Sequence, residues 1–235
     1  VMNLKHRAKE RELLDNLECQ GEEVSQNLRE LDFINKWLGG NALSISILKA
    51  YFKNRPSSST PSRFLDLGSG SGDLAHQCHL FLQKKGQAHT VGIDANPFMC
   101  DYANTYHKAE NLRFQCLNIF DAQVLPEHDI FHACLILHHF TEEELINVFQ
   151  KLKEETKELV IINDLHRHPL AYYSIKWLTQ LFSKSNFVKH DAPLSVAKGF
   201  KKKELEKVLL ASGWKPEQIE IRWRWAFRWA ICLRQ

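Results

Sequence analysis

Apolar residues follow two alternating rhythms through the middle of this chain. Phe64-Leu65-Asp66-Leu67, Val91-Gly92-Ile93-Asp94, Leu112 to Leu117, Asp129 to His139 and Leu159-Val160-Ile161-Ile162 are short, largely apolar runs, the pattern of strands in a buried parallel sheet. Between them apolar residues recur at helical spacing: Leu74, Cys78, Phe81 and Leu82, then Phe98, Tyr102 and Tyr106, then Leu145, Val148, Phe149 and Leu152. Asn96-Pro97 reads as the N-cap and first residue of the second of these helices, and Thr141-Glu142-Glu143-Glu144 gives the third a capping box. Strand and helix thus alternate from Arg63 to about Asn163, which predicts an α/β fold with a right-handed parallel sheet and helices on both faces. Ile219 to Trp225 and Phe227 to Leu233 alternate and add two last strands, for seven in all.

The flanks read differently. Residues 4–18 are expected to form one charged helix, and Val24, Leu28, Leu31, Ile34, Trp37 and Leu38 mark one side of a second. Gly39-Gly40 stops that helix, and a third runs from about Ala42 to Phe52 before a loop from Asn54 to Pro61. Residues 1–60 therefore form an N-terminal helical cover and residues 61–235 the main domain. Within that domain, residues 164–200 are an insertion in which Pro169 starts a helix with Leu170, Tyr173, Trp177, Leu178, Leu181 and Phe182 on one broad apolar face.

The chemistry gathers around Phe64 to Asp73, where an apolar strand runs into Gly68, Gly70 and Gly72. Glycines are needed where backbone turns tightly and a ligand comes close, and the following helix N-terminus favours anionic groups. A dinucleotide fingerprint would place another glycine three residues after Gly70, and that residue is Asp73. Asp66-x-Gly68-x-Gly70-x-Gly72 instead resembles motif I of the class I S-adenosylmethionine (SAM) dependent methyltransferases. Val91-Gly92-Ile93-Asp94, Asn118-Ile119 and the Leu137-His138-His139 ending of the fourth apolar run resemble the later motifs of the same family, in the same order. The resemblance implies a Rossmann-like seven-stranded sheet, SAM as cofactor and S-adenosylhomocysteine (SAH) as product. It also implies roles: Asp66 orients the methionine amino group, the backbone at Gly68 and Gly70 passes under the methionine moiety, and the carbonyl near Cys134 or Leu135 receives the amino group. Asp94 binds the ribose, Ala95 and Ile119 sandwich adenine, and Asn118, where the family more often has Asp, contacts its edge. Residues 164–200 correspond to a substrate lid, and Asp164 to Pro169 with His190 to Ser195 resembles a group of bacterial small-molecule methyltransferases. Asn35, Trp37 and Gly39 are candidates to face the pocket.

Methyl transfer from a sulfonium needs no metal; the protein must align the acceptor and, for a hydroxyl, remove its proton. Histidine suits that task, and His139 and His166 are the candidate bases, beside His138 and His168. Arg167 is a candidate to bind an acidic group or else a surface cation, and Tyr173 to line an aromatic pocket. No Asp/Asn-Pro-Pro-Tyr or Pro-Cys motif follows the fourth run, which argues against DNA-base methylation. Lys198, Lys201, Lys202 and Lys203 read as a solvated helix start, and Arg222, Arg224 and Arg228 as a sheet face, rather than an RNA track.

Composition changes this picture little. The 235 residues are 44% hydrophobic and 25% charged with a net charge of +3, which favours neither disorder nor a polyanionic partner. Six cysteines lack a C-x-x-C pair and read as reduced core residues of a cytoplasmic protein. Residues 3–18 are too charged for a signal peptide, and no apolar run reaches the roughly 20 residues of a membrane span. The expected acceptor is a small, partly hydrophobic molecule methylated at oxygen; the alternatives are an RNA or protein methyltransferase, or a SAM-binding module without catalysis. The oligomeric state is left open.

Overall fold

A computed structural model of the chain describes residues 3–53 and 61–235; the expected loop from Asn54 lies, up to Thr60, outside the described residues. Seven strands, β1 (Ser62–Leu67), β2 (Ala88–Asp94), β3 (Leu112–Cys116), β4 (Ile130–Cys134), β5 (Leu159–Leu165), β6 (Ile219–Arg224) and β7 (Arg228–Arg234), form one sheet in the order β3-β2-β1-β4-β5-β7-β6. The first five are parallel and β7 enters antiparallel between β5 and β6. Because the order reverses between β1 and β4, the ends of these two strands part and open a crevice at the carboxyl edge.

Helices cover both faces. On one, Leu48 of α2 (Gly40–Phe52) and Cys78 and Leu82 of α3 (Asp73–Gln83) pack against Phe64, Ile130 and Ile161. On the other, α5 (Glu142–Glu155) and α8 (Lys202–Ala211) bring Phe149, Leu152 and Leu209 against Phe131, Val160 and Ile162. Each such side chain contributes about 1.5–3 kcal/mol on burial, which is why the central strands are apolar on both faces. Thr141 and Glu144 form the expected capping box on α5, through bonds of 3.2 and 2.7 Å. Asn96 caps α4 (Pro97–Tyr106), its side chain accepting from Phe98 N at 2.9 Å. Among the described residues, no helix is long and apolar enough to cross a membrane.

Two expectations are corrected. Residues 4–18 are not a helix; their sole helical turn is 3-10, at Leu13–Asp15. Their polar groups find tertiary partners instead: Ala8 N donates to Ala197 O (3.1 Å), Leu13 N to the Asp191 carboxylate (2.9 Å), and Arg7 to the carbonyls of Lys198, His138 and Phe140 (2.7–2.8 Å). α1 (Glu22–Trp37) follows and ends, as expected, where Gly39 turns left-handed at φ 74°. The insertion forms two helices, α6 (Pro169–Phe182) and α7 (Asn186–Lys198). The broad apolar face expected on α6 is not its packed face, because a different side turns inward: Ala171 and Ile175 cluster with Val196, Ala197 and Phe227. Leu170, Tyr173, Trp177, Leu181 and Phe182 are left exposed.

Candidate active site

The turn after β1 needs its glycines for two reasons. Gly68, Gly70 and Gly72 have φ of 65°, 51° and 83°, and a Cβ on Gly68 would stand 2.7 Å from Ile136 Cγ1. Asp94, at the end of β2, spans the crevice: its Oδ2 accepts from Gly70 N at 3.0 Å and its Oδ1 from Asn96 N at 2.9 Å. Burial pushes the Asp94 carboxyl above the usual range, and these bonds oppose the push. Asp66, at the end of β1, is buried with Oδ1 2.5 Å from His132 Nδ1, whose other nitrogen lies 2.9 Å from Ser44 Oγ.

A cavity of about 710 Å³ opens over this edge, and Asp66, Gly68, Gly70, Asp94, Ala95, Asn118, Ile119, Cys134 and Leu135 all line it. That volume suits a nucleoside-sized ligand with a small partner. Asn118 Oδ1 accepts from Phe120 N at 3.1 Å, which fixes the side chain against its own loop. Asn35 and Trp37 of α1 also line the cavity, and α6 adds Ala171, Ser174, Ile175 and Leu178.

Part of the cavity wall is polar, formed by Glu12, Asp15, His138 and His139. After β4 the chain passes through Leu135, left-handed at φ 55°, into a 3-10 turn at Leu137–His139. Asp164 on β5 pins that turn: Oδ2 accepts from Leu137 N (2.9 Å) and His138 N (3.3 Å), and Oδ1 lies 2.7 Å from His138 Nδ1. Burial opposes ionisation of Asp164, but the contact with His138 prevails and holds it below the usual range. His139 Nδ1 is 2.5 Å from Asp15 Oδ1 and its Nε2 is 3.7 Å from Glu12 Oε2. Asp15 is likewise held down, against its burial, by His139 and Lys198. Glu12 is pushed up by burial, although His139 and Lys198 counter it. Glu12, His138 and His139 each place one possible metal-ligand atom within 4.8 Å of the others. The Lys198 ammonium already supplies positive charge there, 3.3 Å from Glu12 and 3.2 Å from Asp15.

Three sequence-predicted residues do not join the site. His166 lies off the cavity, packed on Trp229 with ring centroids 4.8 Å apart, and burial pushes its pKa down. Arg167 is neither a ligand-binding residue nor a surface cation. It is buried, with its guanidinium forked onto Glu204 (2.6 and 3.0 Å) and bonded to the Leu4 carbonyl (3.1 Å), so it ties the N-terminal segment to α8. Tyr173 is 40% exposed and does not line the cavity. Conversely, Glu12, Asp15, Asp164 and Arg228 belong to the site or its support and were missed. Asn163 and Asp164 carried the one visible signal, two polar residues ending a strand otherwise apolar on both faces.

Residues 64–158 match the methyltransferase domain family. A search of curated proteins found no match. Among solved structures, the chain is similar to the plantazolicin methyltransferase BpumL in complex with SAH, at a TM-score of 0.66 and 17% identity over 91% of this chain and 89% of that one. It is similar to human N-acetylserotonin methyltransferase in complex with SAM, at 0.62 and 21% identity over 92% of this chain and 56% of that one. It is also similar to magnesium protoporphyrin IX methyltransferase from Synechocystis PCC 6803 with bound SAH, at 0.57 and 13% identity over 94% and 92% of the two chains. The chain therefore has the class I SAM-dependent methyltransferase fold, and its residues 64–158 match the model of the methyltransferase domain family.

Proposed function

We propose that this protein is a SAM-dependent methyltransferase that acts on a small, partly hydrophobic acceptor, at oxygen. The observation that carries this reading is one cavity lined together by the glycine turn and Asp94, by the His139 cluster, and by the apolar Leu31, Ile34, Trp37, Ile175 and Leu178. SAM, when bound, supplies a methyl group on a sulfonium with a thioether as leaving group. In the chain, Asp94 accepts from the ribose hydroxyls, Ala95 and Ile119 flank adenine with Asn118 at its edge, and Gly68 and Gly70 run beneath the methionine moiety. Asp66 and the backbone near Cys134 and Leu135 take its ammonium group. Asp15, kept anionic, holds the proton of His139 on Nδ1, which leaves Nε2 free to take a proton from an acceptor hydroxyl. The apolar wall holds the acceptor body and excludes water.

In this reading residues 1–60 cover the cavity, residues 61–235 form the SAM-binding domain, and residues 164–200 are its lid. The six cysteines are all free, which favours a reducing, cytoplasmic setting. Small-molecule methyltransferases among the structural neighbours support an acceptor of the same kind. The test is transfer of labelled methyl from SAM across phenols, enols and carboxylic acids. His139→Ala should lower the rate by ~10²–10⁴ while SAH affinity holds. Transfer to RNA or protein alone, or SAH binding with no transfer to any of these, would overturn the small-acceptor reading.

A further inference from the structure

Arg228 was expected on a solvated sheet face beside Arg222 and Arg224, yet it is 2% exposed and lines the cavity. Its hydrogen-bond partners are neutral groups: Nη2 donates to Asn35 Oδ1 at 2.8 Å, Nη1 to Asn163 Oδ1 at 3.3 Å, and the guanidinium also meets the Cys134 thiol. Its Nε is buried with no acceptor, and it makes no ion pair among the described residues. A buried guanidinium without an anion is costly, because two amide oxygens do not replace lost hydration of a full charge. A second positive feature meets it. Gly40 is the first residue of α2, and a Cβ there would stand 2.8 Å from Arg228 Nη2, so the guanidinium lies against the positive end of a 13-residue helix. Two like-signed features converge on one wall of the cavity.

The surroundings say which anion fits. One hydrogen-bonded row crosses the sheet from Asp66 through His132 (2.5 Å), Ser44 (2.9 Å) and Asn163 (3.2 Å) to Arg228 (3.3 Å). It has an acid at one end and a cation at the other. Cys134, which pairs with Asn163 across β4 and β5, lies between them and lines the same cavity. An amino acid zwitterion has this polarity, with an ammonium for Asp66 and a carboxylate for Arg228. We propose that Arg228, with the N-terminus of α2, binds the carboxylate of the SAM methionine moiety and so makes the site selective for the intact amino acid end of the cofactor. This rests on the SAM reading of the same cavity.

The experiment compares calorimetric binding of SAM, decarboxylated SAM and 5′-methylthioadenosine to the unaltered protein, Arg228→Met and Gly40→Ala. The unaltered protein should prefer SAM over decarboxylated SAM by at least ~30-fold. Arg228→Met should lose that preference by weakening SAM alone, with methylthioadenosine affinity within about twofold, which also reports that the adenosine half and the fold are intact. Gly40→Ala keeps the arginine but crowds its guanidinium, and should weaken SAM in the same selective way. If Arg228→Met binds methylthioadenosine normally and still prefers SAM, the inference is overturned; a carboxylate-bearing acceptor as the true partner of Arg228 gives that result. If the unaltered protein binds none of the three, the cofactor reading itself fails and takes this inference with it.

Discussion

Replacing Asp164 by Asn changes one oxygen for an NH₂ group in a buried site that offers only donors. The carboxylate accepts from Leu137 N, His138 N and Leu165 N and faces His138 Nδ1, at 2.7–3.3 Å, and it is 1% exposed. The amide can accept with its single oxygen on one side, while on the other its NH₂ confronts N–H groups. Half of the bonds go, the carboxylate charge goes with them, and donors are left without acceptors. Loss of one partner from a buried, hydrogen-bonded pair costs about 3–5 kcal/mol, a large part of the roughly 5–15 kcal/mol that holds a domain folded. At about 2–4 °C per kcal/mol for a chain of this size, thermal unfolding followed by circular dichroism should show a Tm lower by about 6–20 °C. Because the folded-state pKa of Asp164 is depressed, its contribution is fully present above the unfolded value near 4 and is lost as pH falls through the lowered one. The gap between the two proteins should thus persist from pH 8 to pH 5 and narrow only below about pH 4. A Tm shift under about 2 °C at pH 7 would refute the assignment of Asp164 as the anchor of the Leu137–His139 turn.

Two further perturbations test other parts of the account. Asp32 is pushed up to about 6, mainly by burial, although Ser71 Oγ donates to it at 2.8 Å. With a folded pKa raised above the unfolded one, the native state holds the extra proton at pH 4–6, and stability falls as pH rises through that window. Asp32→Asn should therefore be about 1–2 kcal/mol more stable than the unaltered protein at pH 8, discounted for the partial solvent exposure of the group, and no more stable at pH 4 by urea titration; absence of a gain at pH 8 contradicts this. Trp177→Ser with Leu181→Ser alters a face of α6 that is about two-thirds exposed, so stability should change by less than about 1 kcal/mol in the same titration. A loss of 3 kcal/mol or more would mean that this face is buried after all.

Much of the fold was legible because the strands of a covered parallel sheet must be apolar throughout, and Phe64-Leu65, Ile130-Phe131 and Leu159 to Ile162 announce that directly. The glycine turn and Asp94 were legible for a similar reason, since a tight glycine turn after one strand and an acid ending the next fall at a fixed spacing along the chain. What sequence alone does not show is how a polar residue obtains its partner from far along the chain. Glu12 and Asp15 meet His139 and Lys198 only because residues 4–18, expected as one charged helix, run instead as an irregular segment with a single 3-10 turn at Leu13–Asp15. Arg167 looked like a free cation until Glu204 is placed beside it, and Arg228 like a surface residue until β7 is set against β5. The exposed stripe on α6 reverses the usual rule that an apolar helix face is an inner face, because the small residues Ala171 and Ser174 define the inner side there.

The central claim is that the crevice between the glycine turn and Asp94 binds the adenosyl cofactor. Calorimetric titration with SAH and with NAD, on the unaltered protein and on Asp94→Ala, tests it most directly. The account predicts SAH binding that falls ~100-fold in the variant, as expected for losing two hydrogen bonds from ribose hydroxyls to a carboxylate at about 1.5 kcal/mol each, and no NAD binding. NAD binding without SAH binding, or SAH affinity indifferent to Asp94, would contradict it.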